Sequence, residues 1–168
     1  YGLSVLNTVI SIRASIVVTE TSVIDREFWN LIIKHQISDL SGVPFTFEAL
    51  RRFKFSSEIL SSLKYVTQAG GKLNNKLTKY FNELFAMADV KYFTMYGQTE
   101  AGPRISYLAP EFFESKLGSV GVPINCGQAY LRETNTKIGE GELQYRGPNV
   151  CMGYSKSRIE ISRGDDLK

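Results

Sequence analysis

The sequence predicts an α/β fold, with a mainly parallel, doubly wound sheet and flanking helices, followed by a small β-rich subdomain. Between residues 14 and 97, short β-branched runs alternate with segments whose apolar residues recur at helical spacing. This alternation predicts parallel strands joined by right-handed helical crossovers. From Ser119 onward the segments are short, alternate in polarity and are separated by glycine and proline. We therefore expect an α/β subdomain over residues 1–110 and an incomplete β-rich subdomain over residues 111–168.

The first two βα units are predicted before residue 54. The β-branched run "ASIVVTE" (residues 14–20) predicts a strand, and Asp25 is a suitable N-cap for the amphipathic helix that follows. "ISDLSGVP" (residues 37–44) predicts a second strand that ends in a turn. The next helix opens at Pro44, because proline is tolerated in the first helical turn.

Two further strands follow on the same plan. "LKYVTQAGG" (residues 63–71) predicts the third strand, and Asn74 or Asn75 caps a helix with a clear apolar face. "KYFTMYG" (residues 91–97) predicts the fourth strand. The β-rich subdomain is then expected to contain strands in "GSVGVPI", "QAYLRET" and "GELQYRG", with a hairpin turn in "TNTKIGEG".

Composition excludes several classes of function. The 168 residues are 43% hydrophobic and 22% charged, with a net charge of +3 spread along the chain, which argues against a nucleic-acid-binding protein. The apolar runs are too short for a membrane span. Two cysteines and one histidine give neither a disulfide framework nor a zinc site, so we expect a cytoplasmic protein.

Two loops carry candidate chemistry. Ligands of open α/β sheets bind beyond the carboxyl ends of the strands, where "QAGGK" (residues 68–72) and "YGQTE" (residues 96–100) are expected to lie side by side. Gly70 and Gly71 allow a flat ligand to approach bare backbone, although a plain turn explains them as well.

In the second loop, Thr99 and Glu100 are expected to begin a helix, a position that suits a phosphate and its Mg²⁺, while Tyr96 offers a ring to a planar base. An N-cap, a first-turn acid and a core aromatic residue are the equally concrete alternative. The residues alone leave both interpretations open.

The motif "YGQTEAG" resembles the core motif of the adenylate-forming enzyme superfamily, which includes acyl-CoA synthetases, coumarate-CoA-ligase-like enzymes, luciferases and peptide-synthetase adenylation domains. Further matches occur in the family's order and cover almost the whole chain: "YGLS", "GVPFTFEAL", "LKYVTQAGGKL", "GSVGVPI" and "GELQYRGPNVCMGY".

The resemblance implies an ATP-dependent ligase that joins a small carboxylic acid to AMP, releases pyrophosphate and passes the acyl group to coenzyme A or to the phosphopantetheine arm of an acyl carrier protein. Tyr96 would stack on adenine, Thr99 would contact the α-phosphate, and Glu100 would bind Mg²⁺. The remaining implied roles are nucleotide binding by Gly70, Gly71, Lys72, Gly97 and Gln98, and walls of the acyl pocket formed by Tyr1, Gly2, Val43 and Pro44.

The ends of the sequence, "YGLSVLN" and "RGDDLK", predict a piece of a longer chain. The resemblance implies that the family's phosphate loop and its lysine-bearing C-terminal domain lie outside these 168 residues. We therefore expect the isolated piece to be inactive, to need the remainder of its own chain and to self-associate. Asp165 resembles the family's ribose-binding aspartate, but Arg163 and the short interval after Tyr154 argue against that match. The alternative function is a non-catalytic nucleotide-binding or interaction module.

Overall fold

The computed structural model describes residues 1–135 and 139–161 and places a five-stranded mixed sheet at the centre of the chain. The strands lie in sequence order; the first three are parallel, and the fourth and fifth are antiparallel to their neighbours. This confirms the predicted α/β sheet with flanking helices. The strands are β1 (Asp39–Gly42), β2 (Tyr65–Gln68), β3 (Lys91–Tyr96), β4 (Ser106–Leu108) and β5 (Val122–Pro123).

Asn74 and Ser56 each cap the helix that follows, whereas Asp25, at the N-cap of its helix, makes no side-chain capping bond. Asn74 accepts the backbone N–H of Lys76 at 2.8 Å, and the Ser56 hydroxyl accepts that of Ile59 at 3.4 Å, so each side chain satisfies a donor that the first helical turn leaves free. The helices are α1 (Gly2–Ser11), α2 (Arg26–Lys34), α3 (Pro44–Leu50), α4 (Ser57–Ser62), α5 (Asn75–Ala86), α6 (Phe113–Lys116) and α7 (Arg158–Ile161).

Helices α2 to α5 build the core on one face of the sheet. Leu40, Val66 and Tyr92 stand side by side on β1, β2 and β3, since the register pairs each with the next, and all three are buried. Phe81 and Phe85 of α5 pack over them; the rings of Phe85 and Tyr92 lie 5.7 Å apart. Burying these apolar side chains is the main stabilisation of the fold and fixes the strand that carries the second candidate loop.

The opposite face of the sheet carries a row of aromatic side chains that is only partly covered. Tyr65 on β2, Phe93 on β3 and Tyr107 on β4 lie side by side, with ring centres 6.5 Å and 6.3 Å apart. Tyr65 is 44% exposed, whereas Tyr92 on the helical face is 1% exposed. The two faces of the sheet therefore differ sharply in how well they are covered.

The prediction of a strand at residues 14–20 is wrong. This segment has no regular secondary structure and no strand partner among the described residues, and Val18 is 84% exposed. A preference for β structure depends on packing against neighbouring strands and on burial, and neither is available to this segment. The β-branched pattern alone was therefore insufficient.

The prediction for "GSVGVPI" also needs correction, because its strand belongs to the main sheet. β5 pairs with β4, and Ser106 donates its hydroxyl to the Val120 carbonyl at 2.6 Å. A Cβ on Gly121 would overlap the Tyr107 backbone, so this close approach requires glycine. The main sheet thus continues beyond residue 110, the boundary expected between subdomains.

The second sheet is a hairpin of β6 (Gln128–Asn135) and β7 (Glu140–Arg146), which confirms the two strands predicted there. Part of its predicted turn, residues 136–138, lies outside the described residues, as do Arg163 and Asp165.

Candidate functional site

A cleft of about 690 Å³ lies at the carboxyl ends of β2 and β3. Both candidate loops border it, as expected for an open parallel sheet. The cleft brings together eight of the predicted site residues from three distant parts of the chain: Tyr1, Gly70, Gly71, Lys72, Tyr96, Gly97, Gln98 and Thr99. Among the described residues, Gly2, Val43, Pro44 and Glu100 are not part of its lining.

The glycine pair after β2 forms a tight turn that is fixed from both sides. Gly70 has a φ of +79°, which side chains rarely tolerate. The buried Gln68 side chain donates to the Gly71 carbonyl at 2.8 Å. Val43 and Pro44 lie behind the turn, close enough that a Cβ on Gly70 would be 3.1 Å from Val43 Cγ1. Val43 and Pro44 therefore support the turn from behind.

The second loop folds back on itself immediately after β3. The Gln98 backbone N–H donates to the Gly102 carbonyl at 3.2 Å, and the Gln98 side-chain amide donates to the Tyr96 hydroxyl at 2.7 Å. The expected helix is wrong: Thr99–Ala101 is a single 3₁₀ turn with Gln98 at its N-cap. Because so short a segment has no appreciable macrodipole, any anion here must be held by side chains and individual N–H groups.

Glu100 lies on this turn, exposed, and points toward a distant part of the chain. Its Oε1 accepts a hydrogen bond from the Tyr154 hydroxyl at 2.6 Å. This hydrogen bond, together with the backbone N–H of Glu100, lowers the pKa of the Glu100 carboxyl. The carboxylate is therefore ionised at neutral pH, and Tyr154, whose pKa is raised by the same contact, is a neutral phenol.

The segment that carries Tyr154 is tied to the second loop by backbone contacts as well. Cys151 donates its backbone N–H to the Glu100 carbonyl at 2.6 Å, and the Asn149 amide donates to the Ala101 carbonyl. The Tyr145 hydroxyl in turn donates to Asn149 Oδ1 at 2.9 Å. The loop is thus fixed by residues about 50 positions further along the chain.

On the other side of the cleft, Tyr1 is anchored to the sheet. Its hydroxyl lies 2.8 Å from that of Thr67, which lies 2.8 Å from the Ser41 hydroxyl. Ser41 also donates to Asp39 at 3.1 Å. Desolvation raises the pKa of Asp39, while the Ser41 hydroxyl and the charge of Arg104 partly oppose that rise. This chain of polar groups fixes the tyrosine ring at the edge of the cleft.

The carboxylate of Glu100 suits a hard cation, such as Mg²⁺, that takes its other ligands from substrate and water. In the described part of the chain, no three His, Cys, Asp or Glu side chains are placed so that they could together hold a metal ion. Mg²⁺ commonly binds through one or two carboxylates together with substrate phosphates and water. The single exposed carboxylate of Glu100, beside a cleft, fits that pattern.

Sequence reasoning gave no role to several contributors to the site, and three of them bear on its chemistry. Gln68 supports the glycine turn, Tyr154 contacts Glu100, and Ser119 lies in the lining of the cleft. Gln68 and Tyr154 belong to motifs that were recognised but given no role: "LKYVTQAGGKL" and "GELQYRGPNVCMGY". Only the long-range contact identifies what Tyr154 touches.

Over residues 1–135 and 139–161, no helix combines the length and apolar character that crossing a membrane would require.

Comparison with known proteins agrees with the resemblance. Two curated relatives are 30% identical to this chain: the 2-succinylbenzoate–CoA ligase of Bacillus velezensis over 126 residues and the acetyl-coenzyme A synthetase of Phycomyces blakesleeanus over 139 residues. These matches cover 73% and 81% of this chain, but 25% and 20% of the relatives.

Among solved structures, o-succinylbenzoate CoA synthetase (MenE) of Bacillus subtilis has the same fold. Its complex with the acyl-adenylate intermediate OSB-AMP superposes with a TM-score of 0.75 at 23% identity, covering 94% of this chain and 32% of that one. Its complex with ATP and a magnesium ion gives a TM-score of 0.74. This chain therefore spans between a fifth and a third of the length of these relatives.

The family model of the AMP-binding enzymes matches residues 1–155, which is nearly the whole chain. This chain belongs to the AMP-binding enzyme family.

Proposed function

We propose that these residues form the nucleotide-binding half of the active site of an AMP-forming acid–thiol ligase. The observation that carries the proposal is the cleft, which gathers the "YGQT" loop, the glycine turn and Tyr1 at one edge of the sheet. The solved relative, named as a complex with ATP and a magnesium ion, supports the same use of nucleotide.

The roles follow from where each group lies. Tyr96 presents a partly buried ring to the cleft, which suits stacking on adenine, and the Gln98 amide holds its hydroxyl. The same cleft is bordered by Gly70 and Gly71, whose backbone is exposed, and by the cationic residue Lys72. Gly97 and Gln98 complete the nucleotide side.

Thr99 and Glu100 are the proposed catalytic residues. Thr99 lines the cleft, and its hydroxyl would donate to the α-phosphate, while Glu100 would bind Mg²⁺. Mg²⁺, when bound, offsets negative charge where the substrates are all anions. The carboxylate oxygen of the acid attacks the α-phosphorus of ATP, and the bond to pyrophosphate breaks to give acyl-AMP.

In the second half of the reaction, a thiol sulfur attacks the acyl carbon and AMP leaves. The acceptor is coenzyme A or the phosphopantetheine of an acyl carrier protein; the names of the relatives favour coenzyme A. Tyr1, Gly2, Val43 and Pro44 are the proposed neighbours of the small carboxylic acid. Tyr1 borders the cleft, and Val43 and Pro44 support the glycine turn from behind.

The remainder of the protein's own chain is the proposed partner of this piece. The half-covered aromatic row of Tyr65, Phe93 and Tyr107 supports a further layer of structure on that face. That face would make the 168 residues alone prone to pair as a homo-oligomer. We propose that they are inactive alone because the resemblance places the phosphate loop and the catalytic lysine outside them. Both cysteines are free and exposed, which suits the reducing cytosol.

The experiment is carboxylate-dependent exchange of pyrophosphate into ATP by the full-length protein, measured over a panel of small acids. Glu100→Gln should reduce exchange by at least a hundredfold, whereas Glu114→Gln, which changes an exposed carboxylate on α6, should leave the rate unchanged. Full exchange by Glu100→Gln would remove the proposed metal role. ATP binding without exchange with any acid would favour the non-catalytic nucleotide-binding module.

A further inference from the structure

The contact between Tyr154 and Glu100 joins residues 54 positions apart, and its 2.6 Å length is short for a hydrogen bond between uncharged groups. Nothing in the reaction above uses Tyr154. We propose that Tyr154 is a positioning residue, whose hydroxyl holds the Glu100 carboxylate in the orientation that accepts the Mg²⁺ of the bound nucleotide. The inference rests on the proposed function.

Glu100 needs an external partner because its own surroundings do not fix it. The side chain is fully exposed and stands on a single 3₁₀ turn, so neither packing nor a long helix restricts its rotamers. A free glutamate loses considerable rotamer freedom when it is immobilised by a ligand. A hydrogen bond formed in advance removes part of that loss from the binding step.

Tyr154 can serve as such a partner because its segment is itself anchored. The backbone N–H of Cys151, three residues earlier, is bonded to the carbonyl of Glu100 itself, and Asn149 is bonded to the next carbonyl in the loop. Tyr145 holds Asn149 in turn. The phenol therefore reaches the carboxylate from a segment that two other hydrogen bonds join to the loop, while Tyr145 holds the Asn149 side chain that makes one of them.

The chemistry leaves room for the cation. An ionised carboxylate offers about four acceptor positions, of which the Tyr154 hydroxyl takes one on Oε1. A neutral phenol donates without contributing charge, so the carboxylate keeps its attraction for a cation. A lysine or arginine in the same place would instead compete with Mg²⁺ for the negative charge.

The test is Tyr154→Phe in the full-length protein, which removes one hydroxyl and keeps the ring. ATP binding is measured by calorimetry over a series of Mg²⁺ concentrations and again in excess chelator. We expect the Mg²⁺ concentration for half-maximal enhancement of binding to rise about tenfold, the usual lower range for losing a residue that orients a metal ligand. Binding in chelator should not change. Tyr130→Phe, which removes a similarly exposed hydroxyl from β6, is the matched control and should match the wild type in both conditions.

The same measurements on Glu100→Gln and on the double variant separate the possible outcomes. In the Glu100→Gln background, Tyr154→Phe should cause no further change in the Mg²⁺ dependence of ATP binding, because the hydroxyl acts only through the carboxylate. An equal loss of binding with and without Mg²⁺ would make Tyr154 a structural residue and overturn the inference. A Tyr154→Phe protein with wild-type Mg²⁺ dependence, alongside a Glu100→Gln protein that has lost it, would overturn the inference alone. If ATP binding by the wild type does not depend on Mg²⁺, the metal role of Glu100 in the proposed function fails as well.

Discussion

The Tyr92 hydroxyl is buried and has no hydrogen-bond partner among the described residues, so removing it should stabilise the fold. Tyr92 is 1% exposed and lies on β3, the strand that leads directly into the second loop at the cleft. An unsatisfied buried polar group costs about 1–3 kcal/mol. Tyr92→Phe removes that group and keeps the ring, whose centre lies 5.6 Å from those of Phe47 and Phe113. The lost oxygen leaves a small void that offsets part of the gain.

We therefore expect Tyr92→Phe to raise the free energy of unfolding by about 1 kcal/mol, which corresponds to a rise in Tm of roughly 2–4 °C for a chain of this size. The assay is equilibrium urea unfolding followed by the fluorescence of Trp29, the single tryptophan, which is buried in the same core. Tyr80→Phe, on the half-exposed side of α5, is the control and should change stability by less than about 0.5 kcal/mol.

The pH dependence gives an independent check on the same hydroxyl. Burial raises the pKa of Tyr92 well above its ordinary value of 10.0, so the unfolded chain releases this proton at a lower pH than the folded chain. Its contribution to stability is therefore complete below pH 10 and is lost as the pH rises above 10, by up to about 1.4 kcal/mol per pH unit.

The wild type should consequently lose stability faster than Tyr92→Phe above pH 10, while the two curves run parallel below pH 9. A variant that is destabilised by more than about 1 kcal/mol at neutral pH would refute the reasoning, because it would mean that the hydroxyl has a stabilising partner.

Three further outcomes are expected. Gly97→Ala should destabilise the chain by about 1–3 kcal/mol in urea unfolding, because its Cβ would overlap the Pro103 backbone; Gly2→Ala, whose Cβ meets nothing within 4 Å, should be nearly neutral in stability. Phe81→Ala should cost about 3–5 kcal/mol by the same measurement, since the ring is fully buried, whereas the 81% exposed Phe45 should be replaceable by alanine at less than about 0.5 kcal/mol. The 168 residues alone should form dimers or larger species in sedimentation velocity. A purely monomeric boundary at high concentration would count against self-association through the aromatic row of Tyr65, Phe93 and Tyr107.

Sequence patterns predicted the elements that are stabilised by near neighbours. The helix over Asn75–Ala86 has a cap and an apolar face within one short stretch, and both are present in the structure. The strands after Ile37 and Leu63 were predicted because each lies between a helix and a turn. Local chemistry is sufficient for such elements, since the groups that satisfy them are close in sequence.

The errors fall where the deciding partner is far away in the chain. Residues 14–20 have strand-like composition but no strand to pair with, so composition was misleading there. The "GSVGVPI" segment was predicted in the wrong sheet because its pairing with β4 depends on the closeness of Gly121 to Tyr107, which no local pattern reveals. A helix was expected at Thr99, but the structure has one 3₁₀ turn there, because the hydrogen bond between Gln98 and Gly102 closes the loop.

The candidate site depends both on local sequence patterns and on contacts between distant parts of the chain. The order of strand and loop was enough to predict that Tyr96 and Gly70 meet at one edge of the sheet, and the structure places both in the cleft. The orientation of Glu100 was not predictable, because it depends on Tyr154. A carboxylate on a short exposed turn gains direction from a second segment, so the distant "GELQYRGPNVCMGY" motif both contributes to β7 of the second sheet and supports the loop.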